Sequence, residues 1–157
     1  MAGRPLVLVV NGPNLDKLGT RQPEIYGTTT LAELEERLRK RGDELGLTVE
    51  CFQSNAEKDV VAAVSESSGR GVAAIIINPA ALSHFSRPLR DALASAGVPA
   101  IEVHISNIHA REPFRRLSLV SGVAKGVIAG LGVGGYTLAL EAIAGIVIDA
   151  RDGDARA

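Results

Sequence analysis

The sequence is poor in cysteine, in aromatic residues and in net charge, and each shortage excludes a class of protein. Its 157 residues include one cysteine, Cys51, no tryptophan, three histidines and a formal net charge of −1. A single cysteine excludes an intramolecular disulfide and a cysteine-rich zinc site, so nothing indicates an oxidising compartment. The small net charge gives no reason to expect nucleic acid or a membrane surface as a partner.

Long apolar runs and targeting signals are missing as well. Residues 1–10 contain a short apolar run without the long hydrophobic region and cleavage site of a signal peptide. No apolar stretch free of glycine and charge reaches the roughly 20 residues of a membrane-spanning helix. With 46% hydrophobic and 22% charged residues, the composition is that of a globular protein. We expect a cytoplasmic protein with one domain over residues 1–148 and a disordered polar tail over 149–157.

Short runs rich in valine and isoleucine alternate with helical patterns along the chain. The predicted strands are 6–10, 48–53, 73–77, 100–105 and 127–131. The predicted helices are 30–45, 58–67, 87–96 and 136–146, the first beginning with a capping box formed by Thr30 and Glu33. Continuous apolar strands separated by helices are typical of a parallel sheet covered on both faces. The sequence therefore predicts a doubly wound, flavodoxin-like α/β fold with strand order 2-1-3-4-5.

Polar residues follow four of the five predicted strands. The strand exits contain Asn11-Gly12-Pro13-Asn14, Ser54-Asn55, Asn78-Pro79 and Ser106-Asn107. In parallel α/β sheets, ligands bind outside the carboxyl ends of the strands. Turn formation explains each asparagine singly, because asparagine tolerates left-handed backbone and caps helices. Four such exits at one edge favour a binding site for a polar small molecule.

Several common chemistries have no matching motif. The chain has neither a Gly-x-Ser-x-Gly elbow nor a P-loop. His84, His104 and His109 have no carboxylate or cysteine at metal-ligand spacing, so we expect no metal site. Residues 130–135 fit the Gly-x-Gly-x-x-Gly pattern of dinucleotide sites, but only one helix follows them. We interpret these glycines as allowing the last helix to pack closely on its strand.

One segment has the composition of a loop that closes over a site. Residues 15–27 contain the cations Lys17 and Arg21, glycines at both hinges, and Tyr26 near the end. Tyrosine is ordinarily a weak acid with a pKa of about 10, and a neighbouring guanidinium favours its phenolate. A tyrosine held beside an arginine can therefore remove a proton from carbon. The alternative is a tyrosine whose ring only anchors the loop.

A second proton-transfer candidate, His104, lies near the end of the fourth predicted strand. Strand alternation places Glu102 on the same face as His104. A buried carboxylate can orient an imidazole and keep it protonated, as a general acid requires. A purely structural pair is the alternative. Local positive charge is supplied by Arg87, Arg90, Arg111, Arg115 and Arg116.

Four blocks of residues, taken together, carry a resemblance to a known family. The first comprises Asn11-Gly12-Pro13-Asn14-Leu15, Leu18-Gly19, Arg21, Pro23 and Tyr26-Gly27. The second is Gln53-Ser54-Asn55, and the third runs from Ile77-Asn78-Pro79 through His84 to Leu93. The fourth and most specific runs from Ile101-Glu102-Val103-His104 to Glu112, followed by Phe114-Arg115. From residue 6 to about residue 144, the chain resembles the type II 3-dehydroquinate dehydratases.

The resemblance implies a lyase that needs no metal and no organic cofactor. Its reaction would be the trans dehydration of 3-dehydroquinate to 3-dehydroshikimate through an enolate. This reaction belongs to the shikimate pathway of aromatic amino acid biosynthesis or to quinate catabolism. The resemblance also implies a homo-oligomer, a dodecamer of trimers, in which Asp91 reaches into a neighbouring subunit's site.

The resemblance assigns catalytic roles to four residues. Tyr26 would remove a C2 proton beside the C3 ketone, and Arg21 would hold Tyr26 as phenolate. Asn14 would help to stabilise the enolate through a water molecule, as an oxyanion-type donor. His104 would protonate the departing C1 hydroxyl.

It assigns substrate binding to a further set. Asn78 and the backbone amides of Ile105 and Ser106 would hold the substrate carboxylate. His84 and Arg115 would recognise the ring hydroxyls. The partner implied by this site is a small molecule.

Some positions depart from the family's pattern, namely Gln22, Lys58, Phe85, Arg116-Leu117 and Leu119. Phe85 and Leu117 affect the expected pocket shape. They motivate a second hypothesis, a diverged lyase acting on a related cyclic hydroxy-keto acid. A third hypothesis, a flavodoxin-like module binding a nucleotide or flavin, is supported only by the fold and by the glycine motif at 130–135.

Overall fold

A five-stranded parallel sheet lies at the centre of the computed structural model, which describes residues 3–156. The strands are β1 (Leu6–Asn11), β2 (Thr48–Gln53), β3 (Val72–Asn78), β4 (Ala100–His104) and β5 (Gly126–Ala129). Their order is β2-β1-β3-β4-β5 and every neighbouring pair is parallel, which confirms the predicted topology. The carboxyl ends of all five strands therefore meet at one edge.

Helices connect the strands and cover both faces of the sheet. They are α1 (Pro23–Tyr26), α2 (Leu31–Glu44), α3 (Glu57–Glu66), α4 (Arg87–Ser95), α5 (Pro113–Arg116) and α6 (Gly134–Arg156). The four predicted helices correspond to α2, α3, α4 and α6. The single turns α1 and α5 were not predicted, because four residues are too few to show a helical period.

The ends of several elements follow from local chemistry. The predicted capping box is confirmed: the Thr30 hydroxyl accepts from the Glu33 amide at 3.2 Å, and the Glu33 carboxylate accepts from the Thr30 amide at 3.3 Å. Strand β5 ends at Ala129, two residues before the predicted end. Gly130 follows with a φ of 89°, a left-handed conformation that ends the strand.

Alternate side chains of the central strands enter two hydrophobic cores. Val7 and Val9 of β1 face the core beneath α2 and α6, whereas Leu8 and Val10 face the core beneath α3 and α4. This period of two is the reason that the central strands are apolar at every position. Each fully buried side chain of this size contributes about 1.5–3 kcal/mol to stability. The cores fix the strands in register and so fix the edge at which the loops emerge.

The last helix is longer than the sequence predicted. We expected a disordered tail over 149–157, whereas α6 continues to Arg156, and Ala157 lies outside the described residues. Residues 148–154 are exposed, so helical backbone hydrogen bonds rather than packing maintain this end. The Arg151 guanidinium also donates to the carbonyl oxygen of Gly3 at 3.0 Å. Over residues 3–156, no helix is both long and apolar enough to cross a membrane.

A buried polar trio joins α6 to the ends of β1 and β3. The Tyr136 hydroxyl donates to Oδ1 of Asn11 at 2.6 Å and accepts from Nδ2 of Asn78 at 2.9 Å. All three side chains are buried. Burial raises the pKa of Tyr136 well above its ordinary value, so its hydroxyl stays protonated and keeps its role as donor.

Replacing Tyr136 with phenylalanine therefore removes the partner of two buried amides. We expect Tyr136→Phe to lower the free energy of unfolding by about 1–3 kcal/mol, the cost of leaving a buried polar group without a partner. Urea unfolding measures the change, and Tyr26→Phe, at a half-exposed tyrosine, is the matched control. Equal stability of the Tyr136 variant and the unmodified protein would contradict this account.

Candidate active site

A cavity of about 240 Å³ opens at the carboxyl edge of the sheet. Its walls come from the segment after β1, the turn after β3 and the segment after β4. Every site residue predicted from the sequence lines this cavity except Asp91; those present are Asn14, Arg21, Tyr26, Asn78, His84, His104, Ile105, Ser106 and Arg115. The fold thus brings together side chains that lie up to about 100 residues apart in the chain.

The segment after β1 is held in place by the segment after β2. Asn14 has a φ of 69°, a left-handed conformation in which asparagine is favoured. Its backbone amide donates to Oδ1 of Asn55 at 2.9 Å, and Gln53 donates to the same oxygen and to the carbonyl oxygen of Gly12. A Cβ at Gly12 would lie 2.6 Å from the carbonyl oxygen of Pro79, so only glycine fits there.

The arginine in contact with Tyr26 is Arg111, whereas we expected Arg21. Nη1 of Arg111 donates to the Tyr26 hydroxyl at 2.7 Å, and its guanidinium carbon lies 5.6 Å from the ring centroid. Arg21 lines the same cavity with an exposed side chain. Arg111 is 85 residues from Tyr26 in sequence, and only the parallel sheet, which places the exits of β1 and β4 at one edge, brings them together.

His104 and Glu102 form the buried pair that strand alternation predicted. Nε2 of His104 lies 3.2 Å from Oε2 of Glu102. The side chains are 6% and 0% exposed, respectively. Since His104 also lines the cavity, the pair connects a buried carboxylate to the space in which a ligand would bind.

Two serines, which the sequence did not indicate, complete the surroundings of Glu102. Ser118 donates to Oε1 at 2.5 Å and Ser121 donates to Oε2 at 2.6 Å. Burial by itself raises the pKa of Glu102, but hydrogen bonds from His104, Ser118 and Ser121 outweigh it, and the net shift is downward. Glu102 is therefore a carboxylate at neutral pH despite its burial.

The turn after β3 supplies two polar side chains with fixed orientations. The Asn78 amide donates to Tyr136 and accepts from the backbone amide of Ala80 at 3.1 Å, so both of its ends are held. Nδ1 of His84 lies 2.8 Å from the carbonyl oxygen of Leu117. A carbonyl only accepts, so Nδ1 carries the proton, and Nε2 of a neutral His84 is the acceptor.

The predicted substrate-contacting residues after β4 line the same cavity. Nε of Arg115 lies 2.7 Å from Oε2 of Glu112, and its guanidinium stacks 4.9 Å from the ring centroid of Phe114. Ile105 and Ser106 line the cavity directly after His104. The segment therefore places one cation and two backbone positions along the same wall.

The glycine motif at 130–135 has the packing role that we predicted. The amides of Gly130 and Gly132 donate to the carbonyl oxygens of His104 and Ile105 at 3.2 and 3.0 Å. A Cβ at Gly135 would lie 3.3 Å from Cγ2 of Ile128, so the helix approaches the sheet closely. These amides are engaged with β4 and the residue after it, which leaves them unable to hold a phosphate.

The metal-ligating residue types are dispersed. Within residues 3–156, no group of three or more His, Cys, Asp and Glu side chains has the arrangement of a metal site. Cys51 is half-buried on β2, where burial raises the pKa of its thiol to about 11. It is therefore a neutral thiol near pH 7 and packs against the core beneath α2.

The lowered pKa of Glu102 predicts a pH-dependent contribution to stability. Its folded pKa lies below the unfolded value of about 4.3, so the stabilisation is present above that pH and is lost as the pH falls through the folded value. We expect Glu102→Gln to have a lower free energy of unfolding than the unmodified protein. This difference should be larger at pH 6 than at pH 3. Urea unfolding across this range tests it, with Glu66→Gln on the exposed face of α3 as control. A difference independent of pH would refute the electrostatic explanation.

Comparison with known proteins agrees with this geometry. The model of the family "Dehydroquinase class II" matches residues 5–144. A 3-dehydroquinate dehydratase of Salinispora arenicola is 57% identical over 138 residues, covering 88% of this chain and 96% of the relative. One of Corynebacterium pseudotuberculosis is 59% identical over 137 residues, covering 86% and 93%. The crystal structure of a type II dehydroquinase from Propionibacterium acnes superposes with a TM-score of 0.87 at 47% identity, covering 92% of this chain and 99% of that one. The chain belongs to the class II dehydroquinase family.

Proposed function

We propose that this protein is a 3-dehydroquinate dehydratase, a lyase that converts 3-dehydroquinate to 3-dehydroshikimate through an enolate. The observation that carries the proposal is that one cavity contains a tyrosine that accepts a hydrogen bond from arginine and a histidine that lies 3.2 Å from a buried carboxylate. A trans elimination needs a base and an acid acting on two neighbouring carbons. Membership of the family supplies the substrate. The pathway would be aromatic amino acid biosynthesis or quinate catabolism, in the cytoplasm.

Tyr26 is the proposed base. Its phenolate takes the proton from C2, and the electron pair moves toward the C3 ketone oxygen to form the enolate. Arg111, which contacts the hydroxyl, stabilises the negative charge on the phenol oxygen. We assign Arg21, on the exposed side of the cavity, a second cationic contribution to the transition state when the 15–27 segment closes.

Elimination completes the reaction on the other side of the ring. The enolate collapses, the C1–O bond breaks, and His104 gives a proton to the leaving hydroxyl, which departs as water. Asn14 stabilises the enolate oxygen through a water molecule before this step. The proton taken by Tyr26 returns to solvent and His104 is reprotonated, so the net change is the loss of one water.

The remaining cavity residues are assigned to substrate binding. Asn78, held at both ends of its amide, and the backbone amides of Ile105 and Ser106 hold the carboxylate. His84 and Arg115 recognise ring hydroxyls. Fixed side chains suit this purpose, because an orientation that already exists need not be ordered during binding.

The structure gives little support to the two alternative functions, a diverged lyase and a module that binds a nucleotide or flavin. Phe85 and Leu117 are outside the set of residues that line the cavity, so they give no reason to expect a different hydroxy-keto acid as substrate. The amides of Gly130 and Gly132 are bonded to the carbonyl oxygens of His104 and Ile105, which weakens the motif that favoured a nucleotide or flavin.

We further propose that the chain acts as one catalytic domain in a homo-oligomer, a dodecamer of trimers. Asp91 is exposed on α4 and lies outside the cavity of its own chain. Three large apolar side chains near the cavity are more than half exposed: Phe85, Phe114 and Leu117. Exposed apolar groups of this kind are typical of protein interfaces. In the proposed assembly, Asp91 contacts the site of a neighbouring subunit.

The absorbance of the conjugated enone product tests the proposed reaction. We expect the unmodified protein to produce 3-dehydroshikimate from pure 3-dehydroquinate, and Tyr26→Phe to be about 10²–10⁴-fold slower, the usual contribution of a general base. Circular dichroism of both proteins controls for folding. Absence of product with the unmodified protein, or equal rates for the two, would rule the proposal out.

Subunit mixing tests the role of Asp91. Tyr26→Phe and Asp91→Ala chains, each expected to be inactive alone, are unfolded together and refolded at equal amounts. If Asp91 acts across an interface, about a quarter of the sites regain an intact Tyr26 and a neighbour's Asp91. Light scattering should give about twelve times the chain mass of 16.4 kDa. A monomeric mass, or no recovery in a mixed oligomer, would count against the shared site.

A further inference from the structure

We propose that Ser118 and Ser121 are positioning residues for the general acid, acting through Glu102. Their two hydroxyls, called here the serine clamp, hold both carboxylate oxygens of Glu102 and so fix Glu102 against His104. The proposal rests on the proposed dehydration for its kinetic consequence. Its structural consequence can be measured without catalysis.

The geometry of the clamp is complete at both oxygens. Oε1 of Glu102 accepts from Ser118 at 2.5 Å, and Oε2 accepts from Ser121 at 2.6 Å. Oε2 also lies 3.2 Å from Nε2 of His104, so Ser121 and His104 share one oxygen. Short hydroxyl-to-carboxylate distances of this kind are those of charge-assisted hydrogen bonds.

The clamp prevents the Glu102 carboxylate from rotating about its terminal torsion. The terminal torsion of a glutamate is broad, and a single contact at one oxygen leaves the carboxylate group able to rotate. With one serine on each oxygen, rotation breaks both short hydrogen bonds. The carboxylate plane is therefore fixed, and the direction from which Glu102 meets the imidazole is fixed with it.

The clamp also stabilises a charge in a place where charge is costly. Glu102 is fully buried, and a carboxylate in a protein interior is stable only when hydrogen bonds satisfy its oxygens. The titratable group that faces Glu102 is His104 on the same strand. From α4, Arg90 donates instead to the carbonyl oxygen of Leu119 at 2.7 Å. The two serines are thus the donors that the packed segment offers to the carboxylate.

The segment that carries the clamp is itself tied down. The Leu119 amide donates to the carbonyl oxygen of Ser83 at 2.7 Å, and Val120 is fully buried. The Leu117 carbonyl oxygen accepts from the ring of His84. One short stretch therefore contacts His84 directly and His104 through Glu102, which links two walls of the cavity.

Kinetics of serine variants provide the first test. We expect Ser118→Ala and Ser121→Ala each to lower kcat about tenfold with KM changed less than about twofold, because the clamp acts on the acid and not on substrate binding. The acidic limb of the kcat–pH profile should move to higher pH as Glu102 becomes easier to protonate.

Ser118→Thr and Ser121→Thr keep the hydroxyl and should retain most activity. Ser65→Ala, on the exposed face of α3, is the matched control.

A double-mutant cycle distinguishes positioning from general structural support. If the serines act through the carboxylate, their replacement should have little further effect on kcat in a Glu102→Gln background. Additive losses in that background would overturn the proposal. So would serine-to-alanine variants with unchanged kcat and an unchanged pH profile.

Carbon-13 NMR of the glutamate carboxyl groups supplies a readout independent of activity. The Glu102 resonance is assigned as the one that is missing from the spectrum of Glu102→Gln. In the unmodified protein, its chemical shift should remain that of a carboxylate at pH values below those at which glutamate usually titrates. In the alanine variants it should titrate at higher pH, and in Ser65→Ala it should not move. An unchanged Glu102 titration would refute the clamp. A shifted titration in a protein that does not dehydrate 3-dehydroquinate would support the clamp and refute the proposed function.

Discussion

The common direction of the five strands is the constraint on which the site depends. Because β1, β3 and β4 are parallel neighbours, their carboxyl ends meet at one edge. The register pairs Asn11 with both Gln53 and Asn78, so three strand exits lie side by side. The exit of β4 follows, with His104 opposite Ala129 of β5. The helices that make a parallel sheet possible also bury it on both faces, which leaves this edge as the place where polar groups gather.

Polar groups at this edge are buried to an extent unusual for their types. Asn11, Asn78, Glu102 and His104 are all buried, and most of their polar atoms have a hydrogen-bond partner from another element. The partners come from α6, through Tyr136, and from the segment before β5, through the two serines. Within residues 3–156, Nδ2 of Asn11 has no hydrogen-bond acceptor, and Nε2 of His104 lies 3.2 Å from the Glu102 carboxylate without hydrogen-bond geometry. Packing of the last third of the chain therefore sets the orientation of the polar side chains at the ends of β1 and β3 and on β4.

Sequence predicted the features that depend on nearby residues. Apolar runs and helical spacing located the strands and the long helices, and the two-residue separation of Glu102 and His104 placed them on one face. The contact of Arg111 with Tyr26 was not predicted, because it joins residues 85 apart and Arg21 was the nearer arginine in sequence. The bonds of Ser118 and Ser121 with Glu102 span 16 and 19 residues across a connection without regular period. Such contacts follow from the path of the chain in space, which no local pattern encodes.

The proposed acid, His104, and the proposed base, Tyr26, differ in burial and in the rigidity of the element that carries them, and this difference suits their roles. His104 lies at the end of a central strand, with its carboxylate partner clamped in the interior. Tyr26 is half-exposed on the short helix α1, in a segment bounded by Gly19 and Gly27, both with positive φ. A substrate bound along the rigid strand edge would already face the acid, and closure of the segment would then bring the base. The base acts first and the acid second, so in this order the enolate would form only when the donor for the leaving group is already in place.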